Sequence, residues 1–263
     1  MSLHPSLGTF LLGSLFASIA AAQSPVAPTG TLRAVYLANN PAQAVRDSAT
    51  GAVRGVAVDL ARELGRRLGV PVTISGVQGP QNVIDAVRSG EADIGFVAYN
   101  PERAGPVEFS ETYMLVQQTF VVSDRSSIRS VKEIDRPNQT IGAGRGDSIA
   151  LYLARTLKQA QLVDTTEAIA EALSRVRAGT LDAFGANRQR LTDALKTADG
   201  LRLLPDDLYG VEQSIVVPNG KPESLRAVNE FIDDVRRSGF LASAVSRSGV
   251  IGIAVAQPQG VRK

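Results

Sequence analysis

The sequence predicts an α/β protein of two lobes, each a mostly parallel sheet flanked by helices. Three observations lead to this prediction. Apolar strands alternate with amphipathic helices, the alternation restarts near the middle of the chain, and one strand and two helices are left over at the end. Strands that alternate with helices are typical of parallel sheets with helical crossovers.

The first residues predict an export signal. Residues 1–22 contain no Asp, Glu, Lys or Arg, and an apolar run at 10–17 leads to Ala20-Ala21-Ala22. This pattern is typical of a secretory signal peptide. The alternative is an uncleaved anchor, although the run is shorter than the roughly 20 residues of a membrane span. Residues 23–30 are polar and proline-rich, and we expect them to form a flexible leader.

The first α/β unit follows. A helix is predicted at 56–68 because Val56, Leu60, Leu64 and Leu68 recur on one face and Gly69 stops the run. The stretch 92–98 is apolar except for Asp93, as in a strand buried on both faces. The other predicted elements of this unit are strands at 32–37, 70–74 and 113–122 and a helix at 82–88.

The second unit repeats the pattern. Its predicted strands are 140–143, 162–164, 181–185 and 201–204, and its predicted helical pieces are 130–135, 147–158, 166–178 and 188–197. A strand at 214–217 and helices at 225–236 and 241–246 are best placed back on the first unit. We therefore predict a discontinuous lobe 1 (31–122 and 213–257), an inserted lobe 2 (123–212) and a loose tail (258–263). A ligand cleft is expected between the lobes, beyond the carboxyl ends of the strands, with closure about a hinge.

Composition excludes several kinds of chemistry. The chain of 263 residues has 28 Lys and Arg against 26 Asp and Glu, interspersed, so nucleic acid is not an expected partner. It has no Cys, and its one His, His4, lies in the predicted signal peptide. The mature chain therefore lacks the groups for Ser-His-Asp catalysis, the usual zinc sites and thiol redox chemistry. We expect no cofactor and no metal.

Several segments together resemble one family. They are GVAVDLAREL at 55–64, AVRSGEAD at 86–93, NPERAGPVEFSETY at 100–113, AGTLDA at 178–183 and VEQSIVVPNG at 211–220. In this order and spacing they are similar to the family 3, polar amino-acid type, solute-binding proteins of bacterial ABC importers. The resemblance covers nearly all of residues 31–248. It implies the type II periplasmic-binding-protein, or Venus flytrap, fold and a monomer. It also implies a periplasmic protein without catalytic activity that delivers a small carboxylate-bearing solute, an amino acid or a related organic acid, to an inner-membrane ABC permease.

The resemblance also implies how the carboxylate is held. Arg103 falls on the arginine that grips the ligand, and a planar guanidinium can make two parallel charge-assisted bonds to a carboxylate. The alternative is a surface arginine that pairs with Glu102 or Glu108.

A glycine-rich turn at 142–148 leads into a helix, whose start attracts anions. Ser148 matches the family's ligand-binding hydroxyl, Gly146 belongs to the same turn, and Asp147 is expected to be the helix N-cap. The alternative is an ordinary capped helix without ligand contact.

This sequence departs from the family at three positions. Asn187 stands where an Asp usually binds the α-ammonium, Ala98 where a Ser is usual, and Asn40 where an aromatic residue often stacks on the ligand. Tyr99 or Tyr36 could supply the aromatic ring. A neutral amide provides no countercharge, so a carboxylate ligand without an adjacent ammonium becomes credible. Residues 78–81 are a further candidate contact region.

Two other functions remain open. Cyclohexadienyl dehydratases resemble this family, and such an enzyme would need Glu111 or Asp147 as a protonated acid. The chain could also be a ligand-sensing module for a separate receptor.

Overall fold

A computed structural model describes residues 24–38, 40–47 and 49–258. The predicted signal peptide and the tail beyond Pro258 lie outside these residues. The structure is an α/β fold of two lobes, as predicted, joined by strands that run through both.

The first lobe is built on three parallel strands with helices packed against them. The helix α1 has the predicted bounds, because its apolar stripe is buried and Gly69, with φ 69°, ends it in the left-handed conformation. The elements up to the first crossing are β1 (Leu32–Leu37), β2 (Val45–Arg46), β3 (Val53–Arg54), α1 (Val56–Leu68), β4 (Val72–Val77), α2 (Pro80–Ser89), β5 (Ile94–Ala98) and β6 (Val107–Ser123).

The second lobe repeats this plan, with β8, β7 and β9 as parallel neighbours. Its elements are β7 (Thr140–Gly144), α3 (Ser148–Thr156), β8 (Gln161–Thr165), α4 (Ile169–Ala178), β9 (Ala183–Asn187), α5 (Arg188–Leu195) and β10 (Leu201–Leu203). The chain then returns through β11 (Tyr209–Pro218) to α6 (Pro222–Arg237), α7 (Phe240–Ser248) and β12 (Ile253–Val255).

Two long antiparallel strands, β6 and β11, cross between the lobes. The strand order is β4-β1-β5-β11-β6-β9-β7-β8, so the crossing strands lie in the centre with a parallel set on each side. On β6, Gln118 to Val122 already pair with β9 of lobe 2, while β11 pairs with β5 of lobe 1 from Gln213 onward. The β6 strand therefore contacts the parallel strands of lobe 2 from Gln118 onward, before the predicted boundary at 122/123, which remains a prediction.

The C-terminal helices return to lobe 1. Val228 and Ile232 of α6 and Leu241 of α7 are buried in the same cluster as Leu60 of α1. The strand β12 was not predicted, and it pairs with residues 114–116 of β6. The backbone N–H just before it, at Ile251, donates to Gln189 Oε1 of lobe 2 at 3.2 Å. The segment from Ile251 to Val255 thus contacts both lobes.

The N-terminal leader is packed, not loose, over the residues described. Val26 and Ala27 are buried in the lobe 1 cluster, and Ser224 Oγ donates to the carbonyl of Pro25 at 2.7 Å. We had expected a flexible leader because the segment is polar and rich in proline. Its two apolar side chains find a place beside α6, which the local sequence does not reveal. None of the helices in the described ranges is long and apolar enough to cross a membrane.

Candidate functional site

A cavity of about 160 Å³ opens between the two lobes. All of the predicted ligand-binding residues except Tyr99 line it. Lobe 1 contributes Leu37, Asn40, Pro80, Ala98 and Arg103, lobe 2 contributes Gly146, Asp147, Ser148, Asn187 and Arg190, and the crossing strands contribute Val116, Gln118, Val211 and Gln213.

Arg103 is a half-buried cation on the lobe 1 wall. It ends a short 3₁₀ turn, Pro101–Arg103, that starts at Asn100, whose side chain accepts from the Glu102 backbone N–H at 3.0 Å. Its guanidinium makes one long bond, 3.4 Å, to the carbonyl of Ala98. Burial lowers the pKa of Arg103 from its usual value, and the charge of Glu102 acts in the opposite direction. Arg103 forms no ion pair with any residue in the described ranges, so the expected alternative of a pair with Glu102 or Glu108 is not observed there.

The start of α3 forms part of the opposite wall. Gly146 has φ 76°, a left-handed turn that suits glycine and leads the chain into the helix at Ser148. Asp147 occupies the N-cap position, as predicted, but its side chain makes no capping hydrogen bond. The first-turn amides of a helix have no intrahelical acceptor. This end of α3 can therefore donate to an anion in the cleft.

The Asp147 carboxylate instead pairs with a guanidinium. Its Oδ2 lies 3.1 Å from Arg190 Nη1 in α5, and both side chains are about 40% exposed (40% and 41%). The capping role was predicted from position alone, and the ion pair competes with it because the carboxylate is held toward α5. Asp147 is the only carboxylate among the residues that line the cavity.

Asn187 ends β9 and caps α5. Its Oδ1 accepts from the backbone N–H of Arg190 at 2.8 Å. A backbone N–H can be accepted only by the oxygen of the amide, so this bond fixes which way the side chain is turned. The Asn187 NH₂ group is left as a donor, and no acceptor for it occurs within the described residues.

Glutamines on the crossing strands were missed by the sequence analysis. Gln118 and Gln213 both line the cavity and are only 5% and 2% exposed. Gln213 Oε1 accepts from Gln43 Nε2 at 3.1 Å, and Gln43 Oε1 in turn accepts from the Leu37 N–H at 2.9 Å. For Gln118, the signal available in the sequence was the pair Gln117-Gln118 in the middle of the largely apolar stretch 113–122.

A second cavity of about 350 Å³ shares Arg103 and Ser148 with the first. Tyr99 lies here, packed edge-on against Phe109 with ring centroids 5.2 Å apart. Tyr152 and Tyr209 stack at 4.3 Å on the lobe 2 side, and burial raises the pKa of Tyr209 above its usual value. This second cavity could hold the part of a longer ligand that lies away from its carboxylate.

The side chains that line the cleft are suited to binding an anion. In the described part of the chain, no group of three or more His, Cys, Asp or Glu could hold a metal ion. The cavity lining contains two guanidiniums, one carboxylate already paired, neutral amides and the start of a helix. Such a set can bind and orient a carboxylate by charge-assisted hydrogen bonds.

Comparison with known proteins gives a consistent picture. Residues 32–247 match the model of the bacterial extracellular solute-binding proteins, family 3. The glutamine-binding protein of Geobacillus stearothermophilus is 26% identical over 181 residues, which are 64% of this chain and 64% of that protein. The L-cystine-binding protein TcyJ of Escherichia coli is 23% identical over 73% of this chain and 72% of its own length.

Two solved structures extend the comparison. The ancestral amino acid-binding protein AncCDT-1, a precursor of cyclohexadienyl dehydratase, is 25% identical, with a TM-score of 0.63 over 83% of this chain and 95% of its own. The periplasmic VFT2 domain of BvgS from Bordetella pertussis is 21% identical, with a TM-score of 0.68 over 83% and 93% of the two chains. At that identity the second likeness concerns the fold alone.

Proposed function

The chain belongs to family 3 of the bacterial extracellular solute-binding proteins, and on this premise we propose that it captures a small carboxylate-bearing solute in the interlobe cleft. The solute is an amino acid or a related organic acid. No cofactor takes part in this function. The two lobes close on the solute by a hinge motion of the crossing strands.

The state of Arg103 carries this proposal. A half-buried guanidinium without a carboxylate partner in the described residues is costly, because burial disfavours its charged form. A ligand carboxylate would restore the missing partner through two parallel bonds. Across the cleft, Ser148 and the amides at the start of α3 would bind the same carboxylate from lobe 2. Ligand binding would therefore hold the lobes together.

We further propose that the protein is an exported monomer and delivers its solute to an ABC permease in the inner membrane. The signal-like residues 1–22 and the extracellular character of the family support export to the periplasm. The same membership supports delivery to a permease, which would recognise the surface that forms when the lobes close on the solute.

We propose that the protein binds its solute and does not act on it as an enzyme. A dehydratase would need a protonated carboxyl group in the cleft, and Asp147, the one carboxylate of the lining, is held beside Arg190. That carboxylate is therefore already engaged in an ion pair. Both curated relatives are binding proteins. A sensing role with a separate receptor would use the same cleft, and nothing in the cleft favours it over transport.

A thermal-shift screen of the purified protein against amino acids and small organic acids tests this function. A true ligand at 100 times its Kd should add about 2.7 kcal/mol of stability. Arg103→Ala should lose that shift and keep the apo unfolding temperature. Arg62→Ala, a change of the same size on the exposed face of α1, serves as the control and should respond like the wild type. An undiminished shift in Arg103→Ala would remove Arg103 from the site and with it the proposal.

A further inference from the structure

The donors and acceptors that line the cleft are strongly unequal. Arg103, Arg190 and the start of α3 supply several N–H donors, and Asn187 adds its NH₂ group. The one anionic acceptor, Asp147, is already bonded to Arg190 at 3.1 Å. Two guanidiniums against one carboxylate leave the lining with a net positive charge of one.

Several of the neutral acceptors are also engaged, whereas Gln118 Oε1 and Ser148 Oγ accept no hydrogen bond from the described residues. Asn40 Oδ1 accepts from the Ala42 N–H at 3.2 Å, and the carbonyl of Val116 accepts from Gln118 Nε2 at 3.1 Å. Gln213 Oε1 accepts from Gln43, and Asn187 Oδ1 accepts from the Arg190 N–H. An ammonium group requires up to three acceptors, and a buried donor left unpaired carries its full desolvation cost.

We propose that this cleft selects carboxylates whose second carbon carries an oxo or hydroxy group in place of an ammonium. The proposal rests on the proposed function, since it assumes that Arg103 and α3 bind the carboxylate. A ligand with one carboxylate and no ammonium balances the single positive charge of the lining. A zwitterion has no net charge, so the positive charge of the lining would remain uncompensated. The oxygen of an oxo or hydroxy group is an acceptor, and Asn187 NH₂ is a donor without an acceptor in the described residues.

Asn187 is the residue that decides this preference, because its oxygen is not free. The N–H at the start of α5 occupies Oδ1, so the side chain cannot turn to present an acceptor without losing the helix cap. Asparagine and aspartate are comparable N-caps. Asn187→Asp would therefore keep the cap and replace the NH₂ donor with a charged acceptor. It is a nearly isosteric exchange that alters the chemistry presented to the ligand and little else.

The test compares ligands that share a carbon skeleton and differ only at the second carbon. Three such series are alanine, lactate and pyruvate; leucine, 2-hydroxy-4-methylpentanoate and 4-methyl-2-oxopentanoate; and glutamate, 2-hydroxyglutarate and 2-oxoglutarate. Titration calorimetry on the wild-type protein gives the affinity of each. In the series that binds, we expect the oxo or hydroxy acid to bind about tenfold or more tightly than the amino acid.

Two variants complete the experiment. Asn187→Asp should shift the ratio of affinities toward the amino acid by about tenfold or more, with an unchanged unfolding temperature. Asn40→Asp adds the same charge to the opposite wall, at a residue whose oxygen also accepts a backbone N–H. This variant should lower the affinity for all anions without reversing the order of affinities within a series. It therefore separates the effect of an added negative charge from the specific effect of residue 187.

The outcomes distinguish this inference from the proposed function. If the amino acid binds most tightly to the wild type and Arg103→Ala abolishes its binding, the selectivity argued here is wrong and carboxylate capture stands. If Asn187→Asp leaves the ratio unchanged, Asn187 does not select the ligand and the inference is also wrong. If no member of any series binds, and no carboxylate in the wider screen does, the proposed function fails and the inference fails with it.

Discussion

Arg103 and Arg190 lie on opposite walls of one cleft and differ in whether the fold gives them a carboxylate partner. Arg190 has a carboxylate, that of Asp147, 3.1 Å away, while Arg103 has no ion-pair partner among the residues described. Arg103 is also the more deeply placed, and burial lowers its pKa. A paired arginine is already compensated in the empty protein. The unpaired one is stabilised only when something else brings a negative charge.

Arginines outside the cleft make the contrast clearer. Arg33 of β1 pairs with the buried Asp93 at 2.5 Å, and Arg66 and Arg67 of α1 both pair with Glu63. The first pair links β1 to the residue before β5, and the other two lie within α1; in all three the fold itself supplies the carboxylate. Arg103 differs from these three arginines because it has no ion-pair partner among the described residues and lines a cavity between the lobes.

The largest expected effect comes from a change that keeps the charge of Arg103 and removes its shape. Arg103→Lys retains a cation but loses the planar fork, so the affinity for a carboxylate should fall about thirtyfold, or roughly 2 kcal/mol. Calorimetric titration with the best ligand of the screen measures it. The same exchange at Arg62, on the exposed face of α1, should change nothing. If Arg103→Lys bound the carboxylate as tightly as the wild type, the site would depend only on the positive charge at residue 103 and not on the planar shape of the guanidinium.

Removing the paired arginine should have a smaller effect of the same sign. Arg190→Met leaves Asp147 as an uncompensated negative charge beside the anion site, so carboxylate affinity should fall about tenfold. The dependence on ionic strength should also weaken, because the net charge of the lining drops from positive to neutral. If Arg190→Met bound the carboxylate as weakly as Arg103→Ala does, the two arginines would be equivalent, and the contrast between them would be wrong.

Asp147→Asn should act in the opposite direction. It frees Arg190 for the ligand, and carboxylate affinity should rise about fivefold, or roughly 1 kcal/mol. The unfolding temperature should change little, because the pair is about 40% exposed (40% and 41%) and an exposed ion pair adds little stability. Weaker binding in this variant would give Asp147 a direct role, for example as the acceptor for a ligand ammonium.

The smallest expected effect concerns how the unfolding temperature depends on pH. It compares Arg66 and Arg67, which pair with Glu63, with Arg103, which has no ion-pair partner in the described residues. Arg66, followed by Arg67, holds the pKa of Glu63 at about 2, below its ordinary 4.5. A depressed pKa stabilises the fold above about pH 4.5, and this contribution is lost as the pH falls toward 2. The apo unfolding temperature of Glu63→Gln should therefore decline less steeply in that window than that of the wild type.

Arg103→Ala is the control for this measurement, since no carboxylate is paired with Arg103 in the described chain. Its apo pH profile should follow the wild type between pH 4.5 and 2. A profile resembling that of Glu63→Gln would reveal a titrating partner for Arg103 and would remove the contrast between the two kinds of arginine.

Much of the fold could be predicted because its signals are local. The apolar stripe and final glycine of α1, and the largely apolar stretch of β1, predicted bounds that the structure reproduces. The N-cap at Asn187 was equally local, since an asparagine immediately precedes the helical stretch, but it was not recognised. The short β12 escaped prediction because three residues at the end of a chain become a strand only by pairing with β6.

The sequence by itself determined the α/β plan, the two lobes, the family resemblance and half of the residues that line the cleft. Hydrophobic periodicity and turn residues are read from near neighbours, and motif spacing carries the rest. Only the tertiary structure decided which charges are paired. Asp147 and Arg190 are 43 positions apart, and they meet because β7 and β9 are adjacent strands whose following helices start at the same edge. Charge pairing depends on distance in space, and that distance is set by the order of strands in the sheet.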